Sequence, residues 1–566
     1  MPSFRPQERT SASVSVDAFV PPGIIIRVTT TGDRRRMRIV RAARNGCERA
    51  AHGLLFALHA TVVLGALAGP MLVLIGTVYR DGAWTVEPWR NIFADATGIA
   101  RWLVLLRHTA WLALLATAIS VTAGAALALV LFKSDARLRA ASVALLLLAA
   151  TVPLYVVAGS MLSIMGKEAS LGSIPRAALI HATAYVPIVA LVIGMALRSV
   201  GADCEELALV EGAGTLRVLI RVTLRMAMGG FVAAVVLVVL WTTTDYSVSD
   251  VLLVRTFAEE VYTQFPLRGR TQEPALTCVP QAVLFAALLW ALRRGFLLGE
   301  SVEGGAPDVG ARRRFAGGRW RWPLSIGAAA AALFLVAGPV VSLVPLLHGS
   351  RQFLENARSA RHEILTSIWT SLAAGVITTA VGVGIAWYIV RRSRWRKLLA
   401  ACIVWMLAFP APVLGIGLVV LFNRDVWPFD VYDSPAMLVC AYVARFLPVG
   451  VILLIPAVRA IPVECELAAR VDGCGTAAVW RRVVWPMCLP TALVSMFAVV
   501  VLSLGELPCS VIVAPPGCDT IGVRFFRALH SGMYPDAATF CLAAMATVVV
   551  PWAGLLILLR RRLFGE

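Results

Sequence analysis

The sequence predicts an all-α polytopic membrane protein with twelve transmembrane helices, arranged as two tandem six-helix units. Three observations carry this. Apolar side chains make up 59% of the 566 residues and charged ones only 15%, a balance outside that of soluble domains. Apolar runs of the roughly 20 residues needed to cross a bilayer recur along the whole chain. A polar stretch in the first half, Cys204–Thr215, returns in the second half as Cys465–Thr476.

Residues 1–52 are polar, carry Arg34, Arg35, Arg36 and Arg38, and hold no apolar core followed by a small-residue cleavage site. They are expected to form a cytoplasmic, disordered tail rather than a cleaved signal. The first unit, 53–294, places spans near 53–79, 109–132, 140–165, 178–198, 228–248 and 276–292. A linker rich in Gly, Arg and Glu follows over 295–322. The second unit, 323–566, places spans near 323–347, 367–390, 398–421, 436–460, 491–513 and 537–559. Pro153, Pro187, Pro410, Pro412 and Pro448 fall inside spans, where freed carbonyls need neighbouring helices or water.

Alternating spans put the basic clusters on one side: Lys133–Arg139, Arg293–Arg294, Arg312–Arg314, Arg391–Lys397, Arg560–Arg562 and both copies of the repeat. Basic loops mark the cytoplasmic face, so both repeats and both termini are expected there, in a multi-pass protein of the cell inner membrane. The formal net charge of +19 is accounted for in the same way, and no nucleic-acid partner is expected.

The repeat is the most informative feature. At an offset of 261, residues 204–226 match 465–487 at eleven of twenty-three positions, and Glu211 faces an acid again in Asp472. The same offset superposes Thr109 on Thr370, Thr117 on Thr378, Pro187 on Pro448 and Asp245 on Glu506. A shared offset from the second to the fifth span of each half makes the halves parallel repeats. Each copy reads as a short helix entered near Glu205 or Glu466, with acids favoured by the helix dipole. Gly212 or Gly473 ends it in a left-handed conformation, and a basic segment containing Arg221 or Arg482 leads into the next span. A topology-setting basic loop needs no such likeness; two distant near-copies imply a shared binding task and a doubled or two-fold partner.

This pattern looks like the EAA loop of ABC importer permeases, whose short coupling helix docks into a groove on a cytoplasmic ATPase. The first copy carries Glu206, Ala208, Glu211 and Gly212; the second carries Ala468, Ala469, Asp472, Gly473 and Pro486. Leu467 replaces the motif's glutamate, Leu207 its first alanine, and Arg225 its closing proline. The resemblance implies two MetI-like permease units, two copies of a cytoplasmic ABC ATPase subunit as partners, and an external solute-binding protein that delivers substrate. ATP is then bound by the partner, with no cofactor on this chain. Leu504–Pro508, Pro515–Thr520, Val523–Arg524 and Gly532–Tyr534 are similar to the fused ferric-iron importer permeases, as are Thr244–Tyr246, Thr256–Phe257 and Tyr262. Ser247 stands where that family has glycine. Iron is therefore the expected solute, with thiamine or another small solute as the alternative.

Asp245 and Glu506 end the fifth span of each half, and Arg445 lies inside the tenth. Charges at membrane depth usually face a bundle interior or an aqueous path, so these three are pathway candidates; the alternatives are helix caps and an Arg445–Glu506 ion pair. His59 and His181 read as core residues, as do Cys278, Cys402, Cys440 and Cys541, while Cys509 and Cys518 could approach one another outside the membrane. No cysteine or histidine spacing suits a metal cage. No phosphate-binding Gly-x-x-x-x-Gly-Lys-Ser/Thr loop occurs, since Gly166–Lys167 runs into Glu168, and no nucleophile–base arrangement suggests catalysis. A twelve-span carrier driven by an ion gradient would also show two parallel halves, but needs no repeated knob after the fourth span. A membrane scaffold would tolerate enlarging Gly212 and Gly473.

Overall fold

The computed structural model describes residues 57, 59–67, 79–80, 83–84, 96–165, 172–268, 315, 318–347, 349–391, 393–423 and 430–563. The tail 1–52, the span at 276–292 and Cys278 lie outside them, as do most of 53–79 and of the linker.

Among the described residues, apart from a short antiparallel ladder of Tyr79–Arg80 with Ala83–Trp84, every element is helical. In the first half these are α1 (Ala96–Lys133), α2 (Arg139–Ala149), α3 (Leu154–Met165), α4 (Ser173–Arg198), α5 (Ala202–Val210), α6 (Thr215–Met226), α7 (Met228–Thr244), α8 (Ser247–Val251) and α9 (Phe257–Arg268). In the second half they are α10 (Arg321–Leu343), α11 (Ser350–Ser359), α12 (Arg361–Arg391), α13 (Ser393–Ala408), α14 (Ala411–Phe422), α15 (Ala436–Ala460), α16 (Val463–Val471), α17 (Thr476–Leu504), α18 (Ser510–Val513), α19 (Ile521–His530) and α20 (Tyr534–Leu563).

Among the described residues six helices are long and apolar enough to cross a membrane, or nine if each of three bent pairs is one span. The expected twelve are met only to that extent. The apolar part of α20, Tyr534–Val549, is shorter than a full span.

Four expected spans are bent or cut short. The run 140–165 turns through 98° between α2 and α3, and 398–421 turns through 107° between α13 and α14. Pro153 and Pro410 stand at these corners, where a proline removes a donor and clashes with the preceding turn. The run 228–248 begins after a 60° bend at Ala227 and stops at Thr244, with Asp245 already extended. Likewise 491–513 stops at Leu504, where Gly505 and Pro508 close the helix, and α18 is a separate turn. Cys509 and Cys518 both carry free thiols.

The packing exchanges elements between halves. In the first half α1, α4 and α7 share a buried apolar cluster that also takes Ala328 and Ala332 of α10, the opening helix of the second half. In the second half α12, α13, α14 and α15 form a cluster that takes Val63, Ala66 and Leu67 from the helical stretch 59–67. His59 there rests edge-on against Tyr388 and tilted against Trp480. A third cluster joins α3 and α4 with α19 and α20. Gly384 makes the seat of 59–67 possible, because a Cβ at that position would collide with the His59 ring.

Candidate functional site: a duplicated helical knob and the cavity between the halves

Each repeat forms the same knob. The nine residues of α5 and of α16 end on Glu211 and Asp472, followed by Gly212 at φ 85° and Gly473 at φ 82°. The closing hydrogen bonds are identical. Gly212 N donates to Leu209 O and Ala213 N to Ala208 O; Gly473 N donates to Arg470 O and Cys474 N to Ala469 O. This double bond pattern satisfies orphan carbonyls at a helix end and needs a left-handed residue, which glycine supplies without a Cβ penalty.

Past the turn both copies carry a five-residue π-helical segment at matching positions, Leu219–Thr223 and Trp480–Val484. Such wide turns are rare and recur at functional sites. Arg221 and Arg482 lie in these segments, exposed. Glu206, Glu211, Gly212, Ala468, Asp472, Gly473 and Pro486 are exposed as well, and Ala208 and Ala469 are half-buried under their turns. Apolar side chains stand out beside them: Val210 and Val471, equivalent residues, are each 86% exposed, and Leu207 and Leu467 are also largely bare.

The sequence reading overlooked what holds the knobs down. Glu205 is fully buried and paired with Lys133 at the end of α1, Nζ to Oε1 2.6 Å, while Thr223 Oγ1 donates to the same oxygen at 2.7 Å. Its counterpart Glu466 accepts from Arg391 Nε at 3.0 Å and from Trp387 Nε1 at 3.3 Å. Arg391 also donates to the carbonyls of Ile461 and Val458. Recurrence of the acid at the 261 offset was the signal available in the sequence.

The three charged candidates of the spans come together. A cavity of about 130 Å³ is walled by Asp245, Glu506 and Arg445, with Tyr155, Tyr185 and Trp241 among its other residues. It draws on α3, α4 and α7 of the first half and on α13, α15 and α17 of the second. Both carboxylates also cap the following short helix. Asp245 accepts from Ser247 Oγ at 2.8 Å and Val248 N at 3.2 Å, and Glu506 accepts from Cys509 N at 2.9 Å. Capping and facing the cavity are thus not alternatives here. Arg445 Nε lies 3.9 Å from Glu506 Oε2, and its guanidinium donates to Phe409 O and, across the halves, to Thr244 Oγ1. His181, fully buried, puts Nε2 3.9 Å from Asp245 Oδ2.

At the end of the bundle away from the knobs the halves again show a common plan. Phe257 N donates to Thr109 Oγ1 and Ile521 N to Ser367 Oγ, and Thr256 and Thr520 cap α9 and α19. An ion pair ties each short helix to a long one with the charges reversed: Arg101 with Glu260, Glu363 with Arg524. Among the described residues no group of three His, Cys, Asp or Glu is placed to hold a metal ion.

Comparison with known proteins agrees with the doubled plan. An ABC transporter permease protein of Streptomyces antibioticus is 29% identical over 205 residues, which are 36% of this chain and 86% of that protein. A trehalose transport system permease protein of Mycobacterium tuberculosis is 24% identical over 35% of this chain and 73% of its own length. A diacetylchitobiose uptake system permease protein of Streptomyces coelicolor is 24% identical over 41% and 85%. Each match takes up most of the relative and well under half of this chain, as a match to one of two copies does. The description of the binding-protein-dependent transport system inner membrane component matches twice, over residues 120–293 and 379–563. The chain therefore belongs to that family, as an ABC transporter permease subunit carrying two copies of its domain.

Proposed function

We propose that the chain supplies both membrane halves of one ATP-driven importer, with α5 and α16 as docking helices for two copies of a cytoplasmic ATPase and with both termini on that side. A solute-binding protein delivers substrate at the opposite face, and the cavity between the halves is its route. The observation that carries this is the pair of knobs, alike to the φ of their glycines and the exposure of Val210 and Val471. Bare apolar side chains beside acids and arginines on a rigid turn have the make-up of an interface core with a polar rim. Family membership leaves no place for the gradient-driven carrier or the inert scaffold.

For the solute, two carboxylates against one guanidinium leave the cavity wall negative, which favours a cation or a neutral hydroxyl-rich molecule over an anion. Ferric iron is the first reading. It rests on the likeness of Leu504–Pro508 and Pro515–Thr520 to iron importer permeases and on a cavity small enough for a little-hydrated ion. Thiamine, also cationic, fits the same charge. A carbohydrate is the second reading, favoured by the trehalose and diacetylchitobiose systems of the relatives and by the cavity's aromatic residues.

The test is reconstitution of the chain with its ATPase and binding protein in liposomes. Uptake should require ATP, and Gly473→Asp with Glu211→Lys should abolish both ATPase co-purification and stimulation while insertion persists. A doubly substituted chain that still stimulates turnover as the unmodified one does defeats the docking assignment. Calorimetric titration of the binding protein with ferric iron, thiamine and oligosaccharides decides the solute.

A further inference from the structure

We propose that the two buried ion pairs, Lys133–Glu205 and Arg391–Glu466, are the struts that carry movement of the docking helices into the transport pathway. The inference rests on the docking role given above to α5 and α16.

Besides passing back into α4 through the short link 199–201, a displacement of α5 can reach the membrane by two routes. One follows the chain through Gly212 and the π-helical segment Leu219–Thr223, then across the 60° bend at Ala227. That route contains a turn, a widened helix and a bend, each of which absorbs motion. The other crosses from Glu205 to Lys133, buried side chains 2.6 Å apart, onto the end of the 38-residue α1. Helix α1 packs along α4 and α7, and α7 ends at the cavity residue Asp245. A short, water-excluded ion pair held by a further hydroxyl has little freedom, so this route is the stiffer one.

The second half repeats the design with different parts. Glu466 meets Arg391 at the end of α12, and α12 packs against α15, which carries Arg445, and against α17, which leads to Glu506. The offset of 261 sets Arg394, not Arg391, opposite Lys133, so the cation has moved by about one helical turn while the acid has stayed. Arg391 further binds the Ile461 and Val458 carbonyls at the junction of α15 and α16. The second strut thus holds the docking helix to two membrane helices and the first to one. A conserved acid with a relocated cation is what a demand for a strut leaves; a demand for one local fold would keep both.

Removing only the cation would strand a buried carboxylate, so the informative variants remove both charges: Lys133→Met with Glu205→Met, and Arg391→Met with Glu466→Met. Each is purified as full chain with its ATPase in liposomes, measuring co-purification, thermal melting, ATPase rate and solute moved per ATP. Both double variants are expected to bind the ATPase and hydrolyse ATP, with solute moved per ATP down about tenfold, within the range of typical coupling free energies. The loss should be larger in the second half. Lys133→Arg, which keeps the charge, should retain coupling. An unchanged transport ratio in both double variants overturns the proposal, as does a reduced ratio accompanied by lost co-purification, because the pairs would then only shape the docking surface. If the unmodified chain neither binds nor stimulates the ATPase, the docking assignment itself has failed, and that shows in the control.

Discussion

Glu506 holds two jobs in one carboxylate: it accepts from Cys509 N at the start of α18 and faces Arg445 in the cavity wall. Removing one partner of a buried ion pair leaves the other uncompensated at a cost of about 3–5 kcal/mol. Arg445→Met should therefore lower the melting temperature of the purified chain and abolish uptake. Arg445→Met combined with Glu506→Gln should regain most of the melting temperature and still not transport, if the pair belongs to the pathway. Recovery of uptake in the double variant would reduce the pair to a structural one. The position of Glu506 was legible in the sequence, since Asp245 stands 261 residues earlier. Arg445 as its neighbour was also within reach, because a lone cation inside a span must find an acid. Glu205 was read only as a helix-dipole residue, because its true partner Lys133 lies 72 residues away on another helix. No local rule connects the two.

At the scale of elements, hydropathy located the long helices and missed their breaks. A sliding apolar sum does not register direction, so α2–α3 and α13–α14 read as single spans although Pro153 and Pro410 were visible at their corners. The π-helical segments left no mark at all, since one extra residue per turn changes neither composition nor polarity. The short helices opposite the knobs, α9, α11 and α19, were hidden because each is too short and too polar to resemble a span. One of them carries a contact between halves that responds to pH. His530 at the end of α19 sets Nε2 2.9 Å from Asp250 Oδ2 of α8. The close approach of the Asp250 carboxylate raises the imidazole pKa above its ordinary value, burial opposes it, and the Phe526 carbonyl adds to the rise. A raised histidine pKa contributes stability that is fully present below the ordinary value of about 6.5 and is lost as pH climbs through the folded-state value. Thermal melting in detergent should therefore fall as pH is raised from 6 to 8.5, and the slope should flatten in His530→Gln. An identical slope in that variant assigns the titration to another group.

For the whole molecule, the exchange of opening helices makes the halves interdependent. Residues Val63, Ala66 and Leu67 complete the second half's core, and Ala328 and Ala332 of α10 complete the first half's. Each half thus lacks part of its own apolar packing and supplies part of its neighbour's, so a covalent link serves mainly to raise the local concentration of one for the other. Cutting the chain within 295–317 and producing both pieces together should yield a complex that co-purifies and binds the ATPase. Either piece alone should be degraded or aggregate, because its counterpart's opening helix is missing from an apolar groove. Gly384→Leu, which blocks the place of His59 against α12, should break that assembly in the split chain more than in the intact one, since the intact chain retains the high local concentration. The readout is pull-down from solubilised membranes followed by size-exclusion chromatography. A single half that accumulates as a monodisperse species with the melting temperature of the whole would show that the exchanged helices decorate two self-sufficient units.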